Sequence, residues 1–125
     1  MAGERPFLST SSLVENYNLL LTYMKKCKEK SKDCTSLIPS SRFLGELQEL
    51  LERGPMSFDR VIELIGEKVS SAISCDLCVE AFKEVYKVPV ACEEAKKTLL
   101  RQLAGWYVEM LEALGYVKVK YAWKP

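Results

Sequence analysis

Apolar side chains recur at three- and four-residue steps along most of the chain, the spacing of core-facing helices. The longest stripe is Leu99, Leu100, Leu103, Ala104, Tyr107, Met110, Leu111 and Leu114. Glu93 and Glu94 stand where the positive end of a helix dipole favours acids. Gly115 stands where a left-handed C-terminal cap costs least. Beyond it the period changes to two. Val117, Val119, Tyr121 and Trp123 share one face while Tyr116, Lys118 and Lys120 share the other, which predicts a half-buried strand.

The same spacing predicts three or four helices upstream. Ser11 or Ser12 caps the first, with Leu13, Tyr17, Leu20, Leu21 and Met24 as its stripe. A Ser/Thr-rich loop with Pro39 follows over 33–41. Ser41 caps the second, with Phe43, Leu44, Leu47, Leu50 and Leu51, and Gly54-Pro55 ends it. Ser57 caps the third, where Phe58, Val61, Ile62, Ile65, Val69, Ala72 and Ile73 form the most regular stripe. Cys78, Ala81, Phe82 and Val85 mark a fourth, either separate from the third or the far half of one bent rod. Residues 86–91 alternate like a short strand, which Pro89 confines to an edge or a loop. The expected fold is mainly α: four to five helices with a short C-terminal strand. It is read as one domain over 1–125, with an arm, helix and loop over 1–40 and a helical core over 41–125.

A chain of 125 residues can bury a substantial core. No apolar run reaches the roughly 20 residues a membrane span needs. The first ten residues carry an acid and a proline where a signal peptide wants apolar residues, so a cytoplasmic location is expected. Net charge is +1, which calls for no polyanionic partner, but the charge is uneven. An acidic middle separates a lysine-rich segment over 25–32 from three lysines, Lys118, Lys120 and Lys124, at the C-terminal end. Solvated surface and helix-dipole pairing account for most of this; phosphate contact is the sharper alternative. The chain has no histidine, which removes the commonest general base.

Five cysteines stand at 27, 34, 75, 78 and 92. They are read first as buried thiols behaving as small apolar side chains. If disulfides form, the pairs to test are Cys27 with Cys34, and Cys92 with either Cys75 or Cys78. Cys75 and Cys78 have the C-x2-C spacing of a zinc half-site, but the chain lacks a second half-site, so no metal or other cofactor is assigned. A thioredoxin-like role would want a strand before the pair, where the pattern gives helices.

The segments FLGELQELLERGPMSFDRVIELIG and LLRQLAGWYVEMLEALGYVKVK together resemble the opening and close of a winged helix-turn-helix domain. The close is carried by Leu111, Glu112, Ala113, Leu114, Gly115, Tyr116 and Val117, where a recognition helix runs into a wing strand. The chain departs from that family in the thirty-odd residues over 67–97 and in lacking a returning wing strand. The resemblance implies a divergent winged helix whose recognition helix enters a DNA groove. Lys96, Lys97, Arg101 and Gln102 would then contact nucleic acid from the helix, and Lys118, Lys120 and Lys124 from the wing.

The expected function is non-enzymatic nucleic-acid binding, as a small DNA-binding regulator. The competing expectation is a helical subunit that binds a protein partner or a second copy through Val117, Val119, Tyr121 and Trp123. No phosphate loop, carboxylate pair or nucleophile–base set points to an enzyme.

Overall fold

The computed structural model describes residues 8–10, 17–32, 34–53, 56–114 and 120–121. The chain is mainly helical. Among the described residues there are five α-helices: α1 (Asn18–Glu29), α2 (Ser41–Glu52), α3 (Phe58–Val69), α4 (Cys75–Tyr86) and α5 (Cys92–Ala113). Three strands of two or three residues accompany them: β1 (Leu8–Thr10), β2 (Met56–Ser57) and β3 (Lys120–Tyr121). β1 lies between the other two and runs parallel to both. The C-terminal strand expected over 116–123 is thus at most a two-residue bridge, with Tyr121 opposite Thr10. The arm read over 1–10 supplies that neighbour.

Serine caps punctuate the helices as their chemistry suggests. Ser57 Oγ accepts from the Arg60 N–H at 3.1 Å, as the sequence predicts. The second helix is capped one residue earlier than expected, by Ser40, whose Oγ accepts from the Phe43 N–H at 3.1 Å. Ser74 caps α4 after a 3-10 turn over Ser70–Ala72, so the third and fourth helices are separate rods. Residues 86–91 form no strand. Lys87 ends α4 in the left-handed region, at φ 62°.

The path of that connection follows from the contacts around it. Cys75 at the start of α4 is bonded to Cys92 at the start of α5, and Tyr86 at the end of α4 meets Gln102 ten residues into α5. The two helices therefore run side by side in the same direction. Twelve residues of helix span about 18 Å, and the few residues over 87–91 must return that distance nearly extended. The alternation read there as a strand is this crossover.

α5 is the axis of the core. Ala95, Leu99, Leu103, Ala104, Tyr107, Val108 and Leu111 are buried on it, and α1, α2, α3 and α4 all contact it. Leu114, counted in its predicted stripe, is exposed. On α1 the predicted stripe holds in part: Leu20 is buried and Tyr17 and Met24 pack against the core, but Leu21 is 65% exposed, and Leu19, Tyr23 and Cys27 complete the buried face. Tyr23 and Cys27, with polar atoms that find partners, belong to the face the apolar count missed. The expected caps Ser11 and Ser12, Leu13, and the terminal glycine at 115 lie outside the described residues.

Gln102 is the buried polar side chain of this core, 5% exposed. α1 begins at Tyr17 with no side-chain cap of its own. Gln102 Oε1 takes that role from across the bundle, accepting the Leu20 N–H at 2.9 Å, while its Nε2 donates to Tyr86 Oη at 3.2 Å. Gln102→Ala leaves a buried donor unpaired and should destabilise the fold by about 1–3 kcal/mol, read by urea denaturation.

Candidate functional site

Among the described residues, the α5 candidates for nucleic-acid contact are divided between surface and core. Gln102 is corrected outright: it is buried, and both ends of its amide are engaged inside the bundle. The physical reason is that Gln102 lies on the face of α5 that packs against α1 and α4. Lys97 is exposed, and Lys96 and Arg101 are half-buried. The Arg101 guanidinium stacks over the Phe58 ring at 5.6 Å, a cation–π contact within the fold. Lys97 and Arg101 share a surface groove with Asp59 and Glu63 of α3, carboxylates that would repel a phosphate. Lys120 and Tyr121 form β3. Val117, Lys118, Val119, Trp123 and Lys124 lie outside the described residues.

The cysteines, by contrast, are drawn together. Cys27 is bonded to Cys34 (Cα–Cα 6.3 Å), tying the end of α1 to the turn that follows it. Cys75 is bonded to Cys92 (Cα–Cα 5.6 Å), tying the first residues of α4 and α5. Four of the five thiols expected as free apolar side chains are therefore cystines. Only Cys78 keeps that reading, fully buried one turn below Cys75. The same finding overturns the cytoplasmic location. Two cystines in a chain of this size belong to an oxidising environment, as in secreted and extracellular proteins, rather than to the reducing cytoplasm. The C-x2-C spacing allowed Cys92 either partner; only the parallel start of the two helices selects Cys75.

Among the described residues no three His, Cys, Asp or Glu side chains converge as metal ligands. The thiols of Cys75 and Cys92 are already bonded to each other, so the C-x2-C pair offers Cys78 alone.

The electrostatics around this end of the molecule are local and paired. Lys26 Nζ contacts Glu84 at 2.8 Å and Glu80 at 3.9 Å, and Lys30 reaches Glu80 at 3.7 Å. The hydrogen bond to Glu84 raises the Lys26 ammonium above its ordinary value, and the same bond lowers the Glu84 carboxyl. Thus two of the five lysines of the run read on the first helix, Lys26 and Lys30, are met by α4. Lys26, Glu80, Lys83 and Glu84 rim an open groove of about 660 Å³ that also contains Cys75 and Cys92.

Inside, burial dominates. It pushes the Cys78 thiol up to about 11, with the Lys96 ammonium pulling the other way. Burial alone pushes Tyr107 up to about 12, while its hydroxyl donates to the Leu37 carbonyl at 2.6 Å. Burial also raises Tyr23, against the lowering effect of the Ser74 N–H that its oxygen accepts at 2.8 Å. Each of these tyrosines holds a backbone group of a distant segment. None stands beside a nucleophile–base set.

Compared with protein-family models, with curated proteins and with solved structures, the chain matches none.

Two expectations follow from the cysteines. Closing loops of 7 and 17 residues should contribute about 2 kcal/mol for Cys27–Cys34 and about 3 kcal/mol for Cys75–Cys92 in the chain-entropy treatment. Paired Cys→Ala variants, compared by urea denaturation, check both the size and the order. The second concerns alkali. The folded Cys78 thiol holds its proton more tightly than the unfolded one, so its stabilisation is complete below the unfolded pKa. It is lost as pH rises toward about 11. Denaturation curves from pH 8 to 11 should show stability falling in the native chain and falling less in Cys78→Ala.

Proposed function

We propose that the chain is a non-enzymatic helical subunit that binds protein, with a second copy of itself as its partner. The observation that carries this reading is the end of the bundle where α1 begins and α4 ends. Gln102 holds the Leu20 backbone and the Tyr86 side chain there, and Leu21 (65% exposed), Tyr86 (39%) and Val88 (49%) are large apolar side chains exposed near that end. Exposed apolar and aromatic side chains of this kind are what a protein interface recruits. The adjoining ion pairs of Lys26 with Glu80 and Glu84 leave that end close to neutral. A net charge of only +1 puts little repulsion between two copies.

The winged-helix, DNA-binding reading draws support from the order of α2, the short β2 and α3, capped as that family would cap them. Against it stands the burial of α5, which would have to be the recognition helix. Phosphate binding also asks for unpaired cations, whereas Lys26, Lys83, Lys97 and Arg101 share their grooves with carboxylates.

Sedimentation velocity over a hundredfold concentration range tests the proposal. The weight-average mass should rise with concentration, and Leu21→Asp or Val88→Asp should return the chain to monomer with its helical circular dichroism unchanged. A monomer at every concentration sinks the reading. Affinity for a DNA duplex that falls steeply between two salt concentrations would put nucleic-acid binding in its place.

A further inference from the structure

The three cysteines between α4 and α5 are arranged for chemistry that neither stability nor docking requires. We propose that Cys75 is a thiol-exchange site, at which a small external thiol forms a mixed disulfide that Cys78 then displaces. Three features place the reacting atoms. Cys75 is exposed and opens onto the groove it shares with Lys26 and Lys83, whereas Cys27 of the other bond is 2% exposed. Cys78 lies three residues further along α4, so both side chains stand on one face of the helix. Cys92, the leaving group, is the first residue of a 22-residue helix whose start carries no side-chain cap. The unpaired N–H groups of that first turn can stabilise a thiolate there. Glu93 and Glu94 oppose this, and Lys96, one turn along, favours it.

The chemistry balances without an oxidant. The external thiol gives up its proton and its thiolate attacks Cys75 Sγ. The Cys75–Cys92 bond breaks, its electron pair leaves on Cys92 Sγ, and that sulfur takes up the proton. Cys78 then gives up its own proton and attacks Cys75 Sγ. The external sulfur departs with the electron pair and is reprotonated. The chain has exchanged Cys75–Cys92 for Cys75–Cys78, and the external thiol is regenerated. The second bridge needs the first turn of α4 to tighten. That turn is held by the Cys78 N–H to the Ser74 carbonyl at 2.9 Å and by the longer Ser74 cap at 3.4 Å, the kind of helix end that adjusts most readily. Exchange replaces a tie between two helices, 17 residues apart in sequence, by one within a single turn. The starts of α4 and α5 are then free to separate.

Reduced glutathione is the probe. The native chain and Cys78→Ala are incubated with increasing amounts, quenched with N-ethylmaleimide, cut with trypsin and weighed. In the native chain the peptide over 69–83 should change from being linked to the peptide over 88–96 to being bridged internally, with Cys92 alkylated. In Cys78→Ala the glutathione adduct on Cys75 should exceed the native level, because only Cys92, by re-forming the original bond, is left to displace it. Cys27–Cys34 should stay closed in both. Should Cys78→Ala fail to fold, Cys78→Val replaces it, and the internally bridged peptide of the native chain decides by itself. Equal adduct in both chains, or a Cys75–Cys92 bond that survives glutathione levels already opening Cys27–Cys34, overturns the proposal.

Discussion

Burying α5 on most of its circumference is the constraint that the rest of the structure answers to. A central helix gives every neighbour an apolar surface to pack against. It also carries those neighbours' backbone ends into a region without water, where each unpaired N–H or carbonyl costs free energy. Three side chains meet that demand. Gln102 caps the start of α1, Tyr107 holds the Leu37 carbonyl, and Tyr23 accepts the N–H of the residue that caps α4. All three reach across the fold, and two of them stand on α5 itself.

The disulfides belong to the same logic. α4 and α5 run in parallel, so the crossover between them must be extended, and Val88 and Pro89 are exposed on it. The Cys75–Cys92 bond fixes the end to which the crossover returns. Cys27–Cys34 performs a similar task for the turn that Tyr107 holds. The molecule is thus braced at two of its connections, one beside the buried Leu37 and one at the exposed start of α4. The brace nearest the surface is also the one with a third thiol beneath it, which makes one bond both a structural tie and a place for exchange.

Much of the secondary structure could be read from the chain, because it is set by local patterns. The stripes of α2 and α3, the Ser57 cap and the start of α5 near Glu93 all come from interactions within a turn or two. The reading slipped where a polar atom belonged to the core. Tyr23 and Cys27 extended the buried face of α1 beyond Tyr17, Leu20 and Met24, and Leu21 fell outside it. Gln102 looked like a surface contact because an amide is usually exposed; its burial becomes affordable only once Leu20 and Tyr86 are in place. The alternation over 86–91 was genuine, but an extended crossover and an edge strand share that pattern.

What the sequence determined by itself, then, was the set of helices, the Ser57 cap and most of the apolar faces, since each depends on residues close along the chain. Tertiary structure decided which cysteine Cys92 would meet, which lysines would be neutralised by Glu80 and Glu84, and which helix would be the core's axis. Those outcomes depend on contacts between segments up to 82 residues apart, and no local pattern encodes a distance of that kind. The physical reason is that pairing, burial and desolvation are properties of two surfaces meeting, while periodicity is a property of one.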